Sequence, residues 1–420
     1  MPIRKRKVNN TTGLQVFNTL RFVTFLVISI VFTKIGLSKE EIGLFEISVF
    51  IVGVASFFWI TGLIQSFIPL YNNSTTFGNN THNPDRKSPE IFNAYILLLA
   101  ISIIIFIIGL SIQNNFSVFG HKGKVPLLNV TLWYLLLSSP ACMVEYIYML
   151  RNRSSNTITY AYLTYSLQLI LVIVPAWLGY GVIWSLRGLV VVAIVRNIWL
   201  ITLLINYAEF KISIKFIKEH LKLAAPLILS VLISGSAQYI DGLVVSIHYA
   251  AEGFAIFRYG AKELPFVVML AAGLSSAMLA EFSVKEKISE TLSEIKKRSL
   301  RIMHIMYPLS IVLLFFAKPI YSHMFSMEFT RSADVFVVYL LAIFGRLLFP
   351  NTILIGLKKT KVILIVSVIE VVANLILSLW FVEIYGVVGV ALATVIVYGL
   401  TKILLIIYNY FKLGIKPTEY

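Results

Sequence analysis

Cys142 is the only cysteine in a chain of 420 residues, so no intramolecular disulfide can form and the redox compartment is not readable from it. Charge is scarce as well: 13% of the residues are Asp, Glu, Lys or Arg, well below the quarter usual in a soluble domain. No polar stretch exceeds about 25 residues, which leaves no room for an ATPase module or an extramembrane catalytic domain. The P-loop pattern GxxxxGK[ST] is absent, so no nucleotide-driven engine sits in the chain. The six histidines (His82, His121, His220, His248, His304, His323) are scattered without a pair at ligand spacing, which speaks against a metal site. No large outer loop carries acidic or basic catalytic motifs. The expectation is a protein that is not an enzyme and holds no cofactor.

Apolar residues are what the chain has in abundance. They make up 58% of it, and the mean hydropathy is +0.85. A helix needs about 20 apolar residues to cross a hydrocarbon core about 30 Å thick. Twelve runs of roughly that length fill the sequence, at about 14–35, 43–71, 91–112, 127–150, 157–179, 182–206, 220–247, 254–282, 299–318, 332–356, 361–382 and 386–411. The first follows a basic cluster (Arg4, Lys5, Arg6, Lys7), is too long for a signal peptide's apolar region and lacks a small-residue cleavage site, so it reads as a retained span. The expected fold is an all-α polytopic membrane protein with twelve transmembrane helices.

Alternate connectors are basic, and the opposite set carries about a quarter as many cations, so both termini are expected in the cytoplasm. This distribution explains the net charge of +16 better than nucleic acid would. The halves also resemble each other. Gly179–Tyr207 matches Ile384–Tyr410 in pattern, and Trp59–Tyr71 parallels Leu270–Phe282, at offsets of about 205–211 residues. Two six-helix lobes related as parallel repeats follow, a common transporter plan with the substrate site between the lobes. The alternative is that apolar helices look alike by composition. The expected divisions are a basic N-terminus 1–13, an N-lobe 14–206, a cytoplasmic linker 207–219, a C-lobe 220–411 and a tail 412–420.

An ionisable side chain deep in a span costs several kcal/mol unless it faces protein or water, so each one is a functional hypothesis. The cations within spans are Arg21, Arg187, Arg196, Arg258, Lys262, Arg346 and Lys402; the carboxylates are Glu46, Glu145, Asp241, Glu263, Glu281 and Glu370. Arg21, Arg187, Glu46, Glu145 and Glu281 lie near span ends, where long side chains snorkel to the interface. Arg196, Arg346 and Glu370 lie near span centres, where snorkelling is hard. Ser367, Glu370, Asn374 and Ser378 recur at helical spacing on span eleven, as do Ser230, Ser234, Gln238 and Asp241 on span seven. Such stripes face a lumen or a partner helix, and hydrogen-bonded interhelical glue is the competing account of them. Arg258 and Lys262 are one turn apart beside Glu263, with Pro265 bending the helix. Guanidinium groups hold phosphate oxygens through paired hydrogen bonds, whereas lysine supplies a mobile point charge. A surplus of such groups suits an anionic substrate better than an organic cation.

Four stretches carry a family resemblance: Leu37–Ile51, "YIDGLVVSIHYAAEGFAIFRYGAKELPF" at Tyr239–Phe266, "GRLLFPNTILIGLKKTK" at Gly345–Lys361, and Tyr385–Gly399. In this order and spacing the chain resembles the polysaccharide-biosynthesis (O-antigen flippase) branch of the multidrug/oligosaccharidyl-lipid/polysaccharide (MOP) exporter superfamily, from about Leu14 to Lys412. Residue by residue, Asp241 falls on the family's span-seven acidic position, Lys262 and Glu263 in its GAxE(I/L)P stretch, and Arg346 on its span-ten arginine; Arg187 has no counterpart. The resemblance implies the MATE-like MOP fold and a flippase of the bacterial inner membrane that moves an undecaprenyl-diphosphate-linked oligosaccharide by alternating access. Arg258, Lys262, Arg346, Arg196 and Arg21 would bind the diphosphate and sugar, while Glu370, Asp241, Asn374 and Gln238 would serve ion coupling or gating with H⁺ or Na⁺. A polysaccharide polymerase and glycosyltransferases would be further partners. A cation/drug antiporter of the same superfamily, a lipid II flippase, and a non-transporting scaffold for glycosyltransferases are the competing readings.

Overall fold

A computed structural model describes residues 10–73, 87–112, 127–261, 288–357 and 359–416. Among them the chain is helical, with no β-strand and a single bridge between Ser88 and Ala208. The helices are α1 (Asn10–Lys34), α2 (Lys39–Asn73), α3 (Pro89–Ile112), α4 (Leu128–Ala141), α5 (Met143–Leu150), α6 (Ser154–Trp177) and α7 (Val182–Tyr207). They continue with α8 (Ile214–His248), α9 (Ala251–Gly260), α10 (Ile288–Met324), a 3₁₀ turn at Met327–Phe329, α11 (Thr330–Arg346), α12 (Pro350–Gly356), α13 (Thr360–Tyr385) and α14 (Val387–Leu413).

Nine helical segments among the described residues are long and apolar enough to cross a membrane, ten with α8 taken as one span. Expected span eight begins in α9 and runs on into residues outside the described set. Expected span ten is not one helix: it breaks between α11 and α12 at Leu347–Phe349. Pro350 accounts for this, because proline disfavours helical backbone in the residue before it and starts a new helix well. Span four is interrupted at Cys142 for a different reason: Pro140 lies inside α4, where a proline weakens the helical hydrogen bonding around it.

Polarity is inverted relative to a soluble bundle. On α13, Asn374 and Ser378 are buried while Ile376 and Trp380 between and beside them are about three-fifths exposed (61% and 60%). Lipid tails accept apolar side chains freely but offer no hydrogen bonds, so the polar stripe turns inward. Small residues then let backbones approach. A side chain at Gly188 on α7 would stand 2.1 Å from the Leu171 carbonyl of α6, and one at Gly389 on α14 would stand 2.1 Å from the Phe381 carbonyl of α13.

Contacts divide the chain into two units, Met1–Leu232 and Ile233–Tyr420, with the division inside α8. Each unit closes with the same device. Gly181 precedes α7 with φ 75° and ψ 179°, and Gly386 precedes α14 with φ 65° and ψ −147°, a region open in practice only to glycine. The two lie 205 residues apart (386 − 181), within the offset of the sequence repeat.

The segment after α7 is bound to the first unit. Ser88 N–H donates to the Tyr207 carbonyl (2.9 Å) and Glu209 N–H to the Ser88 carbonyl (3.1 Å). Asn93 donates to the carbonyls of Pro89 (2.7 Å) and Lys211 (2.9 Å) and accepts from Ser213 N–H (2.9 Å). Arg151, a loop cation by sequence, is buried here, donating to the Tyr207 carbonyl and lying over the Tyr71 and Tyr207 rings. α8 docks beside it: His220 Nε2 stands 2.9 Å from the Leu63 carbonyl, and Gly62 packs against Ile228.

Candidate functional site

In the first unit the polar side chains converge from five helices. Arg196 of α7 lies over the Tyr165 ring of α6, 4.7 Å from its centroid, and its Nη2 donates to Gln168 Oε1 at 3.2 Å. The spacing of Tyr165 and Gln168, three residues apart on one helical face, makes this double contact available to one guanidinium. Glu145 of α5, 7% exposed, lies within electrostatic reach of both Arg196 and Arg21 of α1, and Tyr134 of α4 feels the same two guanidinium groups. Aromatic packing holds the group: Tyr160 stacks on Phe17 and meets Trp199, whose indole N–H donates to Tyr148 OH at 2.8 Å. Four buried atoms here have no hydrogen-bond partner, namely Glu145 Oε2, Tyr165 OH, Gln168 Nε2 and Arg196 Nε. Glu145 therefore does not snorkel, and neither does Glu46, which is buried and accepts from Ser29.

In the second unit Asp241 of α8 is the hub of a buried network. Tyr339 OH of α11 donates to Oδ2 at 2.5 Å, Asn374 Nδ2 of α13 donates to Oδ1 at 3.1 Å, and Thr394 Oγ1 of α14 is 2.6 Å from each carboxylate oxygen. Ser378 donates to Asn374 Oδ1 at 3.1 Å, and Thr394 Oγ1 stands 3.1 Å from the same oxygen. Carboxylate, amide, hydroxyl and phenol oxygens thus meet around one point, the donor chemistry that suits a hard cation or a proton.

A cationic group continues from this hub along the same helices. Lys402 Nζ lies over the Tyr398 ring (5.2 Å) and donates to the Leu348 carbonyl (3.3 Å), while Arg346 lies over the same ring at 5.5 Å. Glu370 feels both cations. Glu370 and Asn374 are one turn apart on α13, as are Thr394, Tyr398 and Lys402 on α14, and Tyr339 and Arg346 are two turns apart on α11. Asp241 and the Arg346–Lys402 group therefore form one polar column.

Of the residues expected from the sequence, Asp241 and Asn374 meet directly; Glu370 faces Arg346 and Lys402 instead of joining them. Arg196 and Arg21 share the first unit's cluster, Arg21 being exposed on α1. Arg258 is half-buried on α9, and Arg187 is exposed over Trp184 at 4.6 Å. Lys262 and Glu263, and the side chain of Gln238, lie outside the described residues. Sequence reasoning passed over Gln168, Tyr165, Tyr339, Thr394 and Tyr398. The run Thr394–Tyr398–Lys402 at helical spacing was the signal for the last two.

The sequence profile described as "Polysaccharide biosynthesis protein" matches residues 36–334, most of the chain. The chain belongs to this family. Two solved structures share its fold over nearly their whole lengths. One is titled "Lipid II flippase MurJ, inward closed conformation" (TM-score 0.70, 21% identity, covering 96% of this chain and 88% of that one). The other is an inward-facing multidrug resistance MATE family transporter of the MOP superfamily (TM-score 0.67, 16% identity, 97% and 98%). A MOP superfamily transporter from Pyrococcus furiosus also matches (TM-score 0.56, 14% identity, 97% of each chain). None of the curated proteins matches the sequence. The family member described here is thus a multi-pass membrane protein with the MOP transporter fold, and its relatives are transporters and flippases, not enzymes.

Proposed function

We propose that this polysaccharide-biosynthesis protein is a flippase carrying a polyprenyl-diphosphate-linked oligosaccharide from the cytoplasmic to the outer leaflet of a bacterial inner membrane, with both termini cytoplasmic. The observation that carries the reading is the pairing of cations within the helices of each unit, half-buried Arg196 with exposed Arg21 and half-buried Arg346 with Lys402, each pair within electrostatic reach of one carboxylate. A surplus of guanidinium and ammonium groups inside spans complements a diphosphate through charge-assisted hydrogen bonds. Arg258 and Lys262 would extend that surface. The polyprenyl tail stays in lipid while the head group crosses.

Asp241 is the coupling site in this proposal, taking H⁺ or Na⁺ with Asn374 and Thr394 as neighbours. Rigid helices α11, α13 and α14 carry both Asp241's partners and the Arg346–Lys402 group, so a change at one end moves the other. The test is reconstitution in vesicles with a fluorescent polyprenyl-diphosphate oligosaccharide. Arg196→Ala and Arg346→Ala should each slow translocation at least tenfold, consistent with losing a bidentate charged contact worth about 1.5–3 kcal/mol. Wild-type rates in both variants would remove the anionic-substrate reading. Efflux of organic cations that depends on Asp241 and not on the arginines would favour drug antiport instead.

A further inference from the structure

The lipid-facing surface of α7 does not stop at the end of that helix. Ile198, Ile201 and Ile205, three and four residues apart, are exposed on one face of this span, where acyl chains cover them. Beyond Tyr207 the exposed apolar surface resumes in the non-helical residues 208–213 and the start of α8: Phe210, Ile212 and Ile214 are 59%, 64% and 66% exposed. In a loop free to collapse, three such side chains would turn inward. Here the backbone is pinned. Ser88 bonds to Tyr207 and Glu209, Asn93 holds the Lys211 carbonyl and the Ser213 N–H, and Phe210 meets Phe92 edge-on at 5.0 Å between ring centres.

Cations are interleaved with these prongs. Lys211 is exposed between Phe210 and Ile212, and Lys215, Lys218 and Lys222 follow at helical spacing on one exposed face of α8. Another face of α8 is already taken, with His220 lying against Phe216 and against Phe67 of α2. Glu209 and Glu219 are the only carboxylates within 208–222, so positive charge is in excess. Both flanking helices are spans, α8 taken as one, so the segment sits where the hydrocarbon core gives way to head groups. That depth takes apolar side chains and ammonium groups together. The ordinary charge bias of membrane loops would account for the lysines alone. It does not account for three apolar side chains held outward on a pinned backbone.

We propose that residues 208–222 form a docking surface for anionic phospholipid, with Phe210, Ile212 and Ile214 dipping into the acyl chains and Lys211, Lys215, Lys218 and Lys222 meeting the head-group phosphates. A zwitterionic lipid would satisfy the apolar prongs equally, so the lysines are what select a negative surface. Neither the flippase reading nor the direction of insertion bears on this docking, which requires only that α7 and α8 cross the membrane. Bound lipid holds the first turns of α8, the helix that carries Asp241, at the membrane surface.

The experiment places an indole on this surface with Ile212→Trp, in the full-length protein in nanodiscs of equal parts phosphatidylglycerol and phosphatidylcholine. In one preparation only the phosphatidylglycerol carries bromine near the head-group end of its acyl chains; in the other only the phosphatidylcholine does. Bromine quenches indole on contact, and the emission of the wild type, with its six tryptophans, is subtracted. The added indole should be quenched about twofold more strongly by the brominated phosphatidylglycerol. Lys211→Gln, Lys215→Gln, Lys218→Gln and Lys222→Gln combined should make the two lipids quench alike. If that variant does not fold, salt at about 1 M, which shortens the screening length to about 3 Å, should do the same. Equal quenching by both lipids in Ile212→Trp, or a preference that survives both the glutamines and the salt, would overturn the anionic partner. A blue-shifted emission that neither lipid quenches would mean that a second protein molecule covers the surface, and an unshifted, unquenched one that water does. Either result overturns the docking, whatever a translocation assay of the flippase reading returns.

Discussion

Thr394 Oγ1 stands 2.6 Å from both carboxylate oxygens of Asp241, joining α14 to α8 through a single hydroxyl. With Tyr339 and Asn374 it surrounds a charge that lipid could not solvate. Hydrogen bonds to a charged group contribute about 1.5–3 kcal/mol each, and a partner left unsatisfied in the interior costs more than the bond itself.

Thr394→Val, which keeps the shape and removes the hydroxyl, should therefore destabilise the protein by about 1.5–3 kcal/mol. Thr394→Ser should be nearly neutral. Thermal unfolding in detergent reads the difference, and vesicle translocation should fall with Val and persist with Ser.

Tyr398 takes two cations on its ring, Lys402 at 5.2 Å and Arg346 at 5.5 Å. Desolvated cation–π contacts are worth about 2 kcal/mol at most sites of this kind. Tyr398→Leu should lower the thermal midpoint and weaken prenyl diphosphate binding, whereas Tyr398→Phe retains the ring contacts and most of both.

Gly188 touches the Leu171 carbonyl so closely that any Cβ forces α6 and α7 apart. Gly188→Ala should cost about 1–3 kcal/mol, the usual toll of overpacking a fitted interface. Gly399→Ala, where nothing lies within 4 Å, serves as the control and should raise the thermal midpoint slightly, because alanine favours a helix interior by about 1 kcal/mol over glycine.

Asn93 ties Pro89, Lys211 and Ser213 together through three hydrogen bonds. Asn93→Ala should free the segment after α7. Trypsin applied to the detergent-solubilised protein should then cut at Lys211 or Lys215 several times faster than in the wild type.

The spans were legible because membrane helices satisfy their own backbone and announce themselves by length and hydropathy; α3 and α13 need nothing more. The break before Pro350 was written in the sequence too, but an uninterrupted apolar run hid it. Polar positions were harder. Asp241 and Asn374 stood out as costly residues at helical spacing, whereas Tyr339 and Thr394 are of types common in any span, and only their meeting with Asp241 gives them meaning. Glu145 was misjudged for a different reason. Distance from a span's end measures how far a side chain must reach for water, and it does not reveal that α1, α6 and α7 pack over α5 and bury the carboxylate.

Gly181 and Gly386 set the rotational phase of the last helix in each unit. Each residue of an α-helix turns the chain about 100°. One amino acid inserted after Gly181 would swing Arg196 away from Tyr165 of α6, and one inserted after Gly386 would carry Tyr398 and Lys402 together away from Arg346 of α11. The charge pattern of both halves is thus anchored by two turns that carry no charge.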